Sequence, residues 1–364
     1  MEDERGIGVL GATGFTGRLV MRALCERGVR ALAAGRSPEK LQALARELGG
    51  VPTLIADVQQ QQTLAELARR CRVIVNCAGP FVDLGEPVVE AALDHGCHYL
   101  DTTGEQPFVR RIQERDAQAR EKGVAIVPAH AFEIALADCG AAILARGYRE
   151  VAAIEVIYAT RFHASQGTKR TVVRMLGMEG YVFEQGDWIP EAPGRVQRPV
   201  VLPAPWGRMT ALSFPGAEIA TIPRHVRAKN VRVFLAVPPA AARGLALALP
   251  LARLALRSPL ARLVQALLGS GTEGPAESVR VGDRFLILVA IRGVREGRAR
   301  HERLAITGRD PYGITAALAA SAAMRMQQKE FDRAGVLAPA QAFSPEEVLA
   351  DAADFEVEWK RIED

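Results

Sequence analysis

A doubly wound α/β domain followed by an α+β domain is the fold class this sequence predicts, and three observations predict it. A glycine-rich turn, Gly11-Ala-Thr-Gly-Phe-Thr-Gly17, stands between an apolar run over 6–10 and a stretch with helix spacing. Short apolar runs and helical stretches then alternate as far as residue 127. Past residue 131 that alternation gives way to longer strand-like runs.

The first strand, 6–10, is bounded by glycines, and the helix that follows, about 16–27, buries Leu19, Val20, Ala23 and Leu24 before Gly28 stops it. Between them, Gly11 and Gly14 permit a tight turn and close approach of backbone to a phosphate, and Gly17 lets helix and strand pack closely. Thr13, Phe15 and Thr16 complete a turn whose free N–H groups and helix dipole suit a pyrophosphate. The second strand, 29–34, ends in Gly35-Arg36-Ser37. An NAD-preferring site usually has an acid there, whereas a guanidinium and a hydroxyl suit a 2′-phosphate, so NADP is favoured over NAD. Ser37 followed by Pro38 also reads as a helix start.

The third strand, 54–57, places Asp57 where adenine contacts commonly fall. The run 73–77 is apolar enough for a strand buried on both faces. It leads into Cys77-Ala78-Gly79-Pro80, beside the crevice where a nicotinamide would lie. A helix over 86–95, the run 98–105, a helix over 106–122 and a strand over 124–127 complete a Rossmann-type unit. The expected domains are 1–130 for the dinucleotide, 131–305 for substrate and dimerisation, and 306–364 as a helical segment packing back on the first. In the middle domain, strands are expected over 151–160, 231–237 and 285–291. Residues 181–235 read as an antiparallel sheet with long loops, and helices are expected over 168–178 and 313–328.

Composition narrows the function. The chain has 364 residues, 49% hydrophobic and 24% charged, with 46 basic against 42 acidic residues. No Lys/Arg block stands out, so nucleic-acid binding is not expected. The five cysteines match no zinc spacing, and no metal is expected. The charged N-terminus, without an apolar leader, points to a cytoplasmic protein.

Taken together, the glycine turn, Ala34-Gly-Arg-Ser37, Gly79-Pro80-Phe81, Gly85-Glu-Pro87 and Asp101-Thr-Thr-Gly-Glu105 resemble the saccharopine dehydrogenase-like family, in its trans-acting enoyl reductase branch. Further along, Ser165-Gln-Gly-Thr168, Gly274-Pro275 with Arg280, Asp310-Pro-Tyr-Gly-Ile-Thr315 and Gly335-Val-Leu-Ala-Pro339 with Ala342-Phe343 continue the resemblance. It implies an NADPH-dependent reductase of a carbon–carbon or carbon–nitrogen double bond in a small-molecule or acyl substrate. At the domain junction Ala131-Phe-Glu-Ile134 departs from the branch's Gly-Phe-Asp-Ser.

Hydride transfer leaves protein side chains to position and to supply a proton. His130 and Glu133 are the acid–base candidates. Glu105 and Asp138 read either as acids or as structural groups, a sheet-edge bond and a helix cap. Residues 241–268 are rich in leucine, interrupted by Arg243, Arg253, Arg257 and Arg262 and broken by Pro250 and Pro259. They do not span a membrane. A lid, core packing and peripheral contact with a lipid surface stay open, as does a homodimer. The alternative function is a non-catalytic dinucleotide-binding protein on such a surface.

Overall fold

The computed structural model describes residues 5–161, 163–256, 258 and 274–362. In chain order the first part holds β1 (Gly6–Leu10), α1 (Phe15–Glu26), β2 (Leu32–Gly35), α2 (Pro38–Glu47), β3 (Thr53–Ile55), α3 (Gln61–Arg70) and β4 (Cys71–Asn76). It continues with α4 (Phe81–Leu84), α5 (Glu86–Asp94), β5 (His98–Asp101), α6 (Gln106–Gln113), α7 (Asp116–Glu121), β6 (Ala125–Val127) and α8 (Phe132–Ala145). The helix expected over 106–122 is two helices. Glu114 and Arg115 bond back to the carbonyls three residues earlier, and this tight turn separates them.

The middle part runs through β7 (Tyr148–Arg161), α9 (Gln166–Gly177), β8 (Gly180–Glu184), β9 (Asp187–Glu191), β10 (Gln197–Leu202) and β11 (Gly207–Ser213). Next come α10 (Glu218–Thr221), β12 (Val231–Val237), α11 (Pro239–Leu256), α12 (Glu277–Arg280), β13 (Arg284–Arg295) and β14 (Arg298–Arg309). Last are α13 (Pro311–Gln327), β15 (Gly335–Val336) and β16 (Glu358–Ile362).

The chain forms two compact units, one of 1–135 with 312–352 and one of 136–311 with 353–364. The first is built on a seven-stranded parallel sheet ordered β15-β6-β5-β4-β1-β2-β3. Its strand order reverses between β1 and β4, the switch point where doubly wound folds open a ligand crevice. Val73, Ile74 and Val75 of β4 are fully buried, as a strand covered by helices on both faces requires. Leu64, Leu67 and Ala68 of α3, with Val88, Val89 and Ala92 of α5, pack into one core beside it.

The second unit is a nine-stranded sheet, β10-β11-β12-β7-β13-β14-β16, with β8 and β9 joined at β12. The strands β8 to β12 pair with one another antiparallel, as expected for 181–235, but β12 also runs parallel to β7, so the sheet as a whole is mixed. Antiparallel strands can be joined by a tight hairpin, whereas a parallel pair needs a long connection, and here residues 162–230 supply it. Gly140 of α8 lies where an added Cβ would meet Leu304, Ile306 and Val289 at 3.1–3.3 Å, so a small residue lets the helix sit close on this sheet.

The C-terminal segment expected as one piece, 306–364, divides. Residues 312–352 lie with the first unit, but 353–364 lie with the second, because β16 pairs with β14 through Ile306 and Trp359 among others. Among the described residues no single helix is long and apolar enough to cross a membrane. The two halves of α11, bent by 43°, pass that test only as a pair. Its Leu251 and Leu254 are 69% and 70% exposed, and 259–268 lie outside the described residues.

Candidate nucleotide-binding site

The switch point is lined by the segments that the glycine motif and the end of β4 supply. Gly11 has φ +76°, a conformation that glycine adopts without strain, and an added Cβ would lie 3.0 Å from the Ala78 nitrogen and the Cys77 carbonyl carbon. The turn and the Cys77–Pro80 loop are thus in close contact, which brings together two groups of residues more than sixty positions apart in sequence. At Gly17 an added Cβ would come within 2.2 Å of the Gly11 oxygen, so this glycine sets how near α1 packs to the turn. Gly14 is exposed at the start of α1, where its N–H bonds to the Gly11 carbonyl at 2.9 Å. Thr13, Phe15 and Thr16 are partly exposed around it. The first N–H groups of an α-helix have no partner inside the helix, and here they open onto the crevice end of the sheet. This arrangement fits a pyrophosphate: the turn presents backbone without side chains at Gly11 and at Gly14, where an added Cβ would meet only the Gly11 oxygen, at 3.3 Å.

At the end of β2, Arg36 is exposed. Ser37 is the N-cap of α2: its Oγ accepts from the Lys40 N–H at 3.4 Å and bonds the Glu39 carboxylate at 2.9 Å. Asp57 stands two residues past β3, its Oδ1 accepting from the Gln59 N–H at 3.0 Å and its own N–H donating to Thr63 Oγ1 at 3.0 Å. Burial, reinforced by the Asp101 charge, pushes the Cys77 thiol up to about 12, so it is no nucleophile near neutral pH. The Gly79–Pro80 bond is cis.

Glu105 is neither a sheet-edge group nor a free acid. Its Oε1 accepts from the Phe81 N–H at 3.1 Å and its Oε2 from the Val82 N–H at 2.8 Å, which caps α4. Asp101 is fully buried, and desolvation pushes its carboxyl up to about 7 although Oδ1 accepts from two backbone N–H groups. Glu133, in the first turn of α8 and partly exposed, is likewise pushed up to about 7 by desolvation. Its Oε1 would lie 3.5 Å from a Cβ on Gly104, so it borders the Asp101–Glu105 loop. His130 is buried, its ring against Phe343 at 5.2 Å and its N–H bonded to the Asp101 carbonyl at 2.8 Å. Asp138 is not a helix cap. It lies inside α8, fully buried, with His225 Nε2 at 2.9 Å; burial works against a proton on His225, but the charge and hydrogen bond of Asp138 outweigh it and raise the affinity.

Tyr312 escaped the sequence reading as a site residue. Its ring meets Phe15 edge-on at 4.9 Å, and Thr315 Oγ1 accepts from the Phe132 N–H at 3.2 Å. The only signal was the motif Asp310–Thr315 itself, which says nothing of which segment it touches. Among the described residues no group of acids, histidines or cysteines could hold a metal ion.

Comparison with known proteins agrees with this geometry. Residues 7–127 match the family described as saccharopine dehydrogenase NADP binding domain. A trans-acting enoyl reductase of Mycobacterium ulcerans (strain Agy99) is 40% identical over 130 residues, 34% of this chain and 31% of that protein. A human saccharopine dehydrogenase-like oxidoreductase is 35% identical over 203 residues, 50% of this chain and 43% of that one. A lipid droplet localized protein of Caenorhabditis elegans is 30% identical over 194 residues, covering 50% and 42%. The chain therefore spans less than half the length of these relatives. The apo saccharopine dehydrogenase (L-Glu forming) of Saccharomyces cerevisiae shares the fold across 99% of this chain and 100% of its own, with TM-score 0.68 at 12% identity. Residues 7–127 thus form an NADP-binding domain of the saccharopine dehydrogenase type, and the chain shares its fold with the yeast saccharopine dehydrogenase.

Proposed function

We propose that this chain is an NADPH-dependent reductase of a carbon–carbon or carbon–nitrogen double bond. The observation that carries the reading is the packing of the Gly11 turn against Cys77–Ala78 at the sheet's switch point. NADPH, when bound, supplies the hydride. The turn and the first N–H groups of α1 hold the pyrophosphate. Because Ser37 is engaged in capping α2, Arg36 is the side chain left for the 2′-phosphate. Glu133 is the proton donor: with a carboxyl pushed up to about 7 it still carries its proton in a large share of molecules near neutral pH, and it is the more accessible of the two acid–base candidates. His130, packed on Phe343, positions the loop after β6. The name of the M. ulcerans relative favours an enoyl group over an imine as the acceptor.

Titration with NADPH and NADH, with Arg36→Ala alongside, tests this reading. NADPH should bind more tightly, and the variant should lose about tenfold or more for NADPH with little change for NADH. Absence of binding by either nucleotide sinks the proposal. A second reading, attachment to a lipid surface through α11, is favoured by the exposed Leu251 and Leu254 and by the name of the C. elegans relative.

A further inference from the structure

The carboxyl ends of β4, β5 and β6 are tied by buried polar side chains that the proposed chemistry does not use. Asn76, Asp101, Thr103 and Glu105 are each 1% exposed or less. Between them they fasten the loop 77–82 at both ends. On the β4 side, Asn76 Oδ1 accepts from the Ala78 N–H at 2.9 Å. On the α4 side, both oxygens of Glu105 are engaged by the Phe81 and Val82 N–H groups.

Glu105 is itself anchored. Its N–H donates to Thr103 Oγ1 at 3.0 Å, and the Thr103 N–H donates to Asp101 Oδ1 at 2.9 Å. The same Asp101 oxygen accepts from the Ala129 N–H at 2.8 Å, past the end of β6. Burying a carboxylate is costly unless donors meet it, and two helix-opening N–H groups are the strong kind of donor for a negative group. A rigid 77–82 loop is what that arrangement secures. The Gly11 turn abuts the start of the same loop, so the loop forms the crevice wall past the pyrophosphate cradle.

We infer that Glu105 is a positioning residue for the nicotinamide half of the cofactor, acting through the backbone of 77–82 without touching the reacting atoms. The inference rests on the cofactor reading above. It predicts that the two halves of the nucleotide depend on different residues. The adenosine half relies on the glycine turn and Arg36, and only the nicotinamide half on Glu105.

The test compares NADPH with adenosine 2′,5′-bisphosphate, which lacks the nicotinamide half, on the full chain and on Glu105→Gln and Thr103→Val, with circular dichroism as the check on folding. Gln keeps the volume but offers one acceptor and turns an NH₂ toward a donor. Thr103→Val keeps the carboxylate and removes only its anchor. Glu105→Gln should weaken NADPH binding about tenfold or more while bisphosphate affinity stays within about twofold. Thr103→Val should act in the same direction and less, and it decides by the same ratio if Glu105→Gln does not fold. NADPH affinity unchanged in the folded variants, or an equal loss for both ligands, overturns the inference. Wild-type protein that binds neither ligand overturns the cofactor reading, and this inference with it, before any variant is compared.

Discussion

Gly17→Ala is the sharpest test of how the turn is built. The added methyl would stand 2.2 Å from the Gly11 oxygen, 2.8 Å from the Gly11 carbonyl carbon and 2.9 Å from the Ala12 Cα. All three are backbone atoms, so no side chain can rotate out of the way. Relief to an ordinary contact of 3.4 Å from 2.2 Å needs a shift of 1.2 Å, which must come from lifting α1 off the turn. Overpacking of this kind costs about 1–3 kcal/mol, partly offset by the better helix propensity of alanine, about 1 kcal/mol. The net expectation is a loss of up to about 2 kcal/mol together with weaker nucleotide binding. Gly14→Ala is the control. Its Cβ would meet only the Gly11 oxygen, at 3.3 Å, and it projects from an exposed position. That variant should keep its stability within about 1 kcal/mol and still bind NADPH poorly, because the methyl enters the phosphate cradle. Urea unfolding should be followed by circular dichroism, since Trp188, Trp206 and Trp359 all lie in the second unit and their fluorescence is blind to the first. An unchanged urea midpoint together with unchanged NADPH binding for Gly17→Ala, or a larger loss of stability for Gly14→Ala, would refute the assignment of roles within the motif.

Two further predictions concern charge and surface. Asp101 binds its proton more tightly in the folded chain than its ordinary value of 3.8, so between about pH 4 and 7 the unfolded chain gives up a proton that the folded one keeps. Stability should therefore fall as pH rises through that window and level off above it, by roughly 4 kcal/mol at most for this group. Asp101→Asn should make the decline shallower, Glu133 contributing the remainder with the same sign, and denaturation midpoints from pH 4 to 8 that match wild type would count against it. If α11 lies on lipid, the double variant Leu251→Glu with Leu254→Glu should abolish flotation with anionic vesicles and leave NADPH binding intact, and co-flotation equal to wild type excludes that surface.

Much of the first unit was readable because its signals are local. Glycines at fixed spacing, apolar runs such as 73–77 and a cap at Ser37 each declare themselves within a few residues. What escaped depends on partners distant in sequence. Nothing near 231–237 says that β12 will pair parallel with β7, and nothing near Tyr312 names Phe15 as its contact. Glu105 was visible as a residue of interest, but its role is fixed by N–H groups on a helix twenty-odd positions earlier. Asp138 read as either an acid or a cap because its neighbours in sequence offered no other partner, and His225 supplied one.

The interleaving of the two units bears on how the chain is made. It enters the first unit, leaves at 135, returns at 312 and leaves again at 352. The edge of the nucleotide-binding sheet is β15, whose Gly335 and Val336 pair with Ala125 and Ile126. On the ribosome, β6 therefore waits for its neighbour while residues 136–311 of the other unit are synthesised. The edge of the first sheet at β6 is closed only after the intervening part of the other unit has been made. A nascent chain arrested before residue 335 would carry an open sheet edge, the kind of surface that chaperones bind and that pairs wrongly with other chains.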